Sequence, residues 1–166
     1  MVALLAIAGV AGVVSALPAG AAKAKKKPAL ALRTTSLGKV IVDSKGHTLY
    51  QFGADTKKNV STCAGACAQN WPPAAAPSKP TVAKGLSQRK LKVIKRADGT
   101  KQLSYAGHPL YRFIADPKAG DVNGQGINAF GGLWHVVAAT GKAITTTAQS
   151  GANPAPAPDP SPYPGY

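Results

Sequence analysis

Glutamate is absent from this 166-residue chain, so any acid–base or metal chemistry must come from six aspartates, three histidines, five tyrosines and two cysteines. His47, His108 and His135 could ligate a metal or haem through their imidazoles, with Asp55 and Asp116 as oxygen donors. Asp121-Val122-Asn123-Gly124-Gln125-Gly126 offers a second cation candidate, because a calcium loop also sets oxygen donors at alternate positions and Gly at the sixth. Its twelfth position is Gly132, where a bidentate Glu is needed, so a Gly-rich structural loop is the competing reading. Asp55 and Asp116 could work as paired carboxylates if the fold brings them together. Alternatively, each accepts backbone N–H groups where its strand ends. Cys63 and Cys67 form a C-x3-C pair without a surrounding βαβ pattern, which reads as a disulfide staple rather than a redox centre. On one helical turn the pair sits near the upper limit of disulfide Cα spacing, and its five-residue loop contributes about 2 kcal/mol. No Ser-His-Asp order, phosphate-cradling Gly loop or zinc signature stands out, so the chain is expected not to be an enzyme.

These residues lie on a duplicated frame. Gly46 to Asp55 matches Gly107 to Asp116 at seven of ten positions, without a gap, at an offset of 61. Trp71 and Trp134 follow the two copies at similar distances. Such self-similarity marks a tandem repeat, with copies at about 36–73 and 91–138. A copy of about 40 residues could barely bury a core alone, so the two are expected to form one pseudo-symmetric domain over 33–139. The pattern is mainly β. Strands are expected at 39–42 and 48–52 around a turn, at 91–95 and 101–105 around Asp98-Gly99, at 109–113 and at 133–137. Alternation puts Tyr50 with Phe52, and Tyr111 with Phe113, on one face each as core aromatics or ligand contacts. A short helix carrying both cysteines is expected over 63–70, capped by Ser61 or Thr62 and stopped by Pro72-Pro73. Residues 72–89 read as the surface connection between the copies.

The flanks differ from this frame. Residues 1–22 are apolar and uncharged and end in Pro18-Ala19-Gly20-Ala21-Ala22, which reads as a signal peptide with a small-residue cleavage site, an uncleaved anchor being the alternative. No Cys lies near that site to carry a lipid. Residues 23–32 read as a basic linker, and 140–166 as a disordered tail with proline at every second position from 154 to 164.

Tyr50-x-Phe52-x-x-Asp55 and Tyr111-x-Phe113-x-x-Asp116 resemble the bacterial secreted or lipoprotein repeat family with a Y-x4-D motif. Leu37-Gly38-Lys39-Val40, Thr62 to Cys67 before Trp71-Pro72-Pro73, Arg96 to Thr100 and Gly120 to Gly126 extend the resemblance over about 36–138. That family is associated with the cell envelope and its function is unknown. The resemblance therefore implies a secreted, extracellular protein, at the cell wall or outer-membrane surface.

Charge points the same way. Twenty Lys and Arg oppose six acids, for a net +14, and four of the lysines cluster at 23–27. That balance favours anionic wall polymers or a membrane surface, and export argues against a specific nucleic-acid partner. The expected function is a binding or structural module without a cofactor. A metal- or haem-binding envelope protein is the alternative.

Overall fold

The computed structural model describes residues 26–146. The proposed signal peptide, residues 23–25 of the basic arm and the stretch from 147 onward lie outside the described residues. Among the described residues no helix is long and apolar enough to cross a membrane. The architecture is mainly β, with three small sheets and one short helix.

Each copy opens with a hairpin. In the first, β1 (Leu30–Thr35) pairs antiparallel with β2 (Gly38–Asp43). In the second, β4 (Leu91–Lys95) pairs with β5 (Lys101–Tyr105), which also pairs with β6 (His108–Pro109). Asp98 shapes the β4–β5 turn by accepting from the Thr100 hydroxyl and N–H at 2.6 and 2.9 Å, and Gly99 takes the positive φ. The Thr100 hydroxyl bond, followed by its N–H, holds the Asp98 carboxyl below the usual range.

From its hairpin each copy runs to its motif tyrosine. Tyr50 lies in β3 (Tyr50–Phe52), whereas Tyr111 makes only isolated bridges. The two tyrosines face each other antiparallel, and each donates its backbone N–H to the other's carbonyl, at 2.8 and 3.0 Å. Reciprocal bonding between repeat-equivalent residues puts the pseudo-twofold axis at this pair.

The closing segments are then exchanged. β8 (Gly132–Val136) belongs to the second copy but pairs with β3 of the first, in the register Tyr50↔Val136, Gln51↔His135, Phe52↔Trp134. Val137 continues that contact, donating to the Leu49 carbonyl and accepting from the Ile41 N–H. In the first copy Ala74 does the same to the second, donating to Leu110 and accepting from Leu103, both at 2.8 Å. β8 also forms a tight hairpin with β7 (Asn128–Ala129) through Phe130 and Gly131, both at positive φ.

Two buried clusters result, and each draws equivalent residues from both copies. Leu30 and Leu91, Ile41 and Leu103, Leu49 and Leu110, Ala74 and Val137 fill one. Tyr50 and Tyr111, Trp71 and Trp134, with Phe52 and the two cysteines, fill the other. Fully burying one such Leu or Ile stabilises by about 1.5–3 kcal/mol. Neither cluster can be completed by one copy.

Several sequence expectations need correction. The basic linker does not reach residue 32, because Ala29 and Leu30 are buried and β1 starts at Leu30. The neighbouring lysines hide an apolar strand start, and the first copy accordingly begins near 30 rather than 36. The tail does not begin at 140, since Ala143 bridges Val137 and the Gln125 amide donates to the Ile144 carbonyl at 2.6 Å. Residues 72–76 are not a surface connection but the exchanged segment itself. β2 pairs with β1, and the hairpin expected between 39–42 and 48–52 is kept only as far as Leu49, through the Asp43–His47 and Leu49–Ile41 backbone bonds and the Val42–Thr48 bridge, after which β3 pairs with β8. The strand expected at 109–113 breaks up after β6 into the bridges of Tyr111. The helix α1 spans only Ala66–Asn70, with Gly65 at its N-cap and no side-chain cap. Thr62 instead donates its N–H and hydroxyl to the Asp55 carboxylate and stays outside the helix. Cys63 therefore precedes the helix, and its disulfide to Cys67 spans a Cα separation of 5.3 Å, inside the usual range.

Candidate functional site

The motif residues converge on the pseudo-twofold axis, but tyrosine and aspartate of one motif do not bond each other. Tyr50 Oη donates to Asp116 Oδ2 at 2.6 Å, and Tyr111 Oη donates to Asp55 Oδ2 at 2.6 Å. Each copy thus supplies the phenol for the other's carboxylate. The second oxygen of each Asp accepts a backbone N–H seven residues on, from Thr62 at 2.7 Å and from Asn123 at 3.0 Å. Asp55 and Asp116 are accordingly loop-end acceptors rather than a carboxylate dyad, and both tyrosines are core residues with bonded hydroxyls.

Strand alternation delivers the aromatics to the same layer. Phe52, Trp134, Trp71 and Phe113 stack in that order at centroid spacings of 4.2, 3.9 and 4.2 Å. Tyr50 packs edge-on against Trp71, and Tyr111 edge-on against Trp134. Each such pair contributes about 0.5–1.5 kcal/mol beyond its burial. The stack passes from one copy to the other at every step: Phe52 meets the second copy's Trp134, Trp134 meets the first copy's Trp71, and Trp71 meets the second copy's Phe113.

Burial sets the electrostatics. Loss of solvation pushes both phenols far up, the bonded Asp116 adding to the effect at Tyr50 and Asp55 at Tyr111. Burial also raises the Asp116 carboxyl, against the lowering effect of the Tyr50 bond.

Behind Tyr111 lies a buried polar shell whose arginine the sequence showed only as part of the Arg96 to Thr100 stretch of the family resemblance. Arg96, after β4, is buried, and its guanidinium donates to Ser61 Oγ at 2.6 Å, to Gln102 Oε1 at 2.8 Å and to the Cys63 carbonyl. Ser61 in turn donates its hydroxyl to Tyr111 Oη at 2.8 Å, since the phenol proton is given to Asp55, and Gln102 donates to the Leu110 carbonyl. The signal that could have found part of this frame is the 61-residue offset carried further, since it also pairs Leu30 with Leu91 and Thr62 with Asn123. Nothing comparable marks Arg96, Ser61 or Gln102, which have no such counterparts.

The metal candidates do not converge. Among the described residues no three His, Cys, Asp or Glu side chains are grouped to hold an ion. His47 sits in a turn against Asp43 at 3.3 Å, His108 lies in β6, and His135 stands across from Gln51 in β8. Asp121 accepts the Lys118 N–H, and the Asn123 amide donates to the Ala115 carbonyl, so this loop is held by its own bonds. Gly124 explains its glycine: a Cβ there would lie 2.7 Å from Trp71 and 2.9 Å from Tyr50. Its N–H donates to Tyr50 Oη at 3.2 Å. The loop therefore closes over the second phenol.

Residues 31–75 and 92–138 each match the model of one family, Lipoprotein_15, described as a secreted repeat of unknown function. The two matches coincide with the two copies seen in the fold. No curated protein and no solved structure matches the chain.

Proposed function

The chain belongs to this family of secreted repeats of unknown function, and from that premise we propose that it is a non-catalytic envelope module held on anionic surface polymers by its basic exterior. One observation carries the reading. Every described aspartate is already engaged inside its own fold: Asp43 by the N–H groups of Lys45 and His47, Asp98 by Thr100 and Arg96, Asp121 by Lys118, Asp55 and Asp116 in the core. Among the described residues no lysine is in an ion pair. The positive charge is thus left to solvent and to external anions.

The test is retention of the secreted chain on isolated cell walls across a salt series. Exposed charge contacts are screened over about 10 Å at 0.1 M salt and about 3 Å at 1 M. Retention at the lower salt and release before the higher one is the expected result. A chain held equally at both would overturn the proposal.

A further inference from the structure

The motif segment of the second copy borders a groove. A groove of about 270 Å³ opens between the His47 turn and the segment after Tyr111, lined by His47, Pro72 and the Arg112–Ile114 run together with Asp116 and Pro117. Arg112 is half-buried there, and its guanidinium has neither a hydrogen bond nor an ion pair with any described residue. Asp116 does not neutralise it, since its two oxygens are turned to Tyr50 and Asn123. Ile114, at 62% exposed, is the most open of the large apolar side chains. Phe113 ends the aromatic stack and leaves part of its ring to the groove.

The other copy shows that the frame does not require these groups. The matched ten-residue segments differ at three positions, and two of the three face this groove: Arg112 replaces Gln51, and Ile114 replaces Gly53. At Gly53 a side chain would be crowded, because a Cβ there would lie 3.2 Å from the Leu133 carbonyl oxygen. Within the matched segment, two of the three differences therefore fall where the second copy opens a cavity, with a free planar cation beside an apolar and aromatic wall.

We infer that this groove seats one anionic unit of the surface polymer, its phosphate or carboxylate on the Arg112 guanidinium and its sugar or polyol face against Phe113 and Ile114. The inference rests on the polymer-binding reading above and adds a defined subsite to it. Arg presents a planar fork that matches either anion with two parallel hydrogen bonds, which a diffuse lysine surface does not offer.

The test uses the full secreted chain and titrates it calorimetrically with a polyglycerol-phosphate polymer and, separately, with a glucuronate-rich polymer. Arg112→Gln places the first copy's own residue in the second. Lys92→Gln removes the same charge from an exposed position on β4, outside the groove. Arg112→Gln should weaken binding at least about tenfold, the loss expected for one charged hydrogen-bonded contact, and Lys92→Gln less than about twofold, with melting temperatures unchanged. Dependence on Arg112 with only one of the polymers supports the groove and identifies the anion. Equal weakening by both variants overturns the groove and leaves binding by general charge standing. A wild-type chain that binds neither polymer overturns the polymer reading, and this subsite with it.

Discussion

The two tyrosine–aspartate centres are copies of one design finished in different ways. Around Tyr111 and Asp55 the surroundings are polar and charged: Ser61, Gln102 and the buried Arg96 guanidinium, next to the Cys63–Cys67 disulfide. Around Tyr50 and Asp116 no guanidinium joins the hydrogen-bonded shell, and the backbone of Asn123 and Gly124 closes in directly because Gly124 has no side chain. One centre is filled by long side chains and the other by main chain. The shared part is what the twofold frame needs, a phenol from one copy on the carboxylate of the other. The remainder was free to diverge, and the second copy's segment diverged into the Arg112 groove.

The largest effect should come from separating the copies. A chain ending near residue 77 and a chain starting near residue 90 should each be unfolded by circular dichroism and regain β structure only when mixed. Each lacks the segment that closes its sheet and half of both apolar clusters. A single copy that melts cooperatively would break the comparison at its root.

Next is the contrast within the polar shells. Arg96→Leu strands the Ser61, Gln102 and Cys63 acceptors in the core and should cost about 3 kcal/mol in denaturant unfolding, within the range for removing one member of a buried charged network. Tyr50→Phe and Tyr111→Phe each remove a single bond to a carboxylate and should cost about 1–3 kcal/mol. Tyr111→Phe should be the milder, because Asp55 also accepts from both the N–H and the hydroxyl of Thr62. The reverse order would show that Arg96 couples more tightly to Tyr111 than to its own partners.

The smallest effect per step is the response to pH. Both phenols are raised in the folded state, so above about pH 10 the unfolded chain releases protons that the folded one keeps. Their contribution to stability is complete below that pH and falls by about 1.4 kcal/mol per tyrosine for each further pH unit. Absorbance of tyrosinate should therefore appear for these two residues only as the fold melts. Asp116 is raised as well, which favours the fold below the ordinary aspartate value, and that contribution disappears as pH rises through its raised value. Asp116→Asn should flatten the acid side of the stability profile.

The duplication was legible in the sequence because copying preserves side chains, and the Asp98-Gly99 hairpin because its turn chemistry is local. The disulfide was legible for the same reason. The exchange of closing segments was not, because β3 and β8 pair across more than eighty residues and leave no periodic trace in either. The Tyr50–Asp116 and Tyr111–Asp55 bonds share that difficulty: the motif reads as one unit along the chain, but its two ends bond to different partners. Arg96 was hidden by its type, since arginine is expected outside and it is brought in by acceptors on Ser61 and Cys63, more than thirty residues earlier, together with Gln102 and Asp98.

The exchange also governs when the molecule can fold. On an export route that passes the chain unfolded and N-terminus first, the first copy arrives while β8, its closing strand, is still on the other side. Its hairpin can form, and the five-residue Cys63–Cys67 ring can close, but the aromatic stack must wait for Trp134. Delivery of the last strand thus acts as the release step for folding, and the polypeptide stays threadable for almost its entire passage.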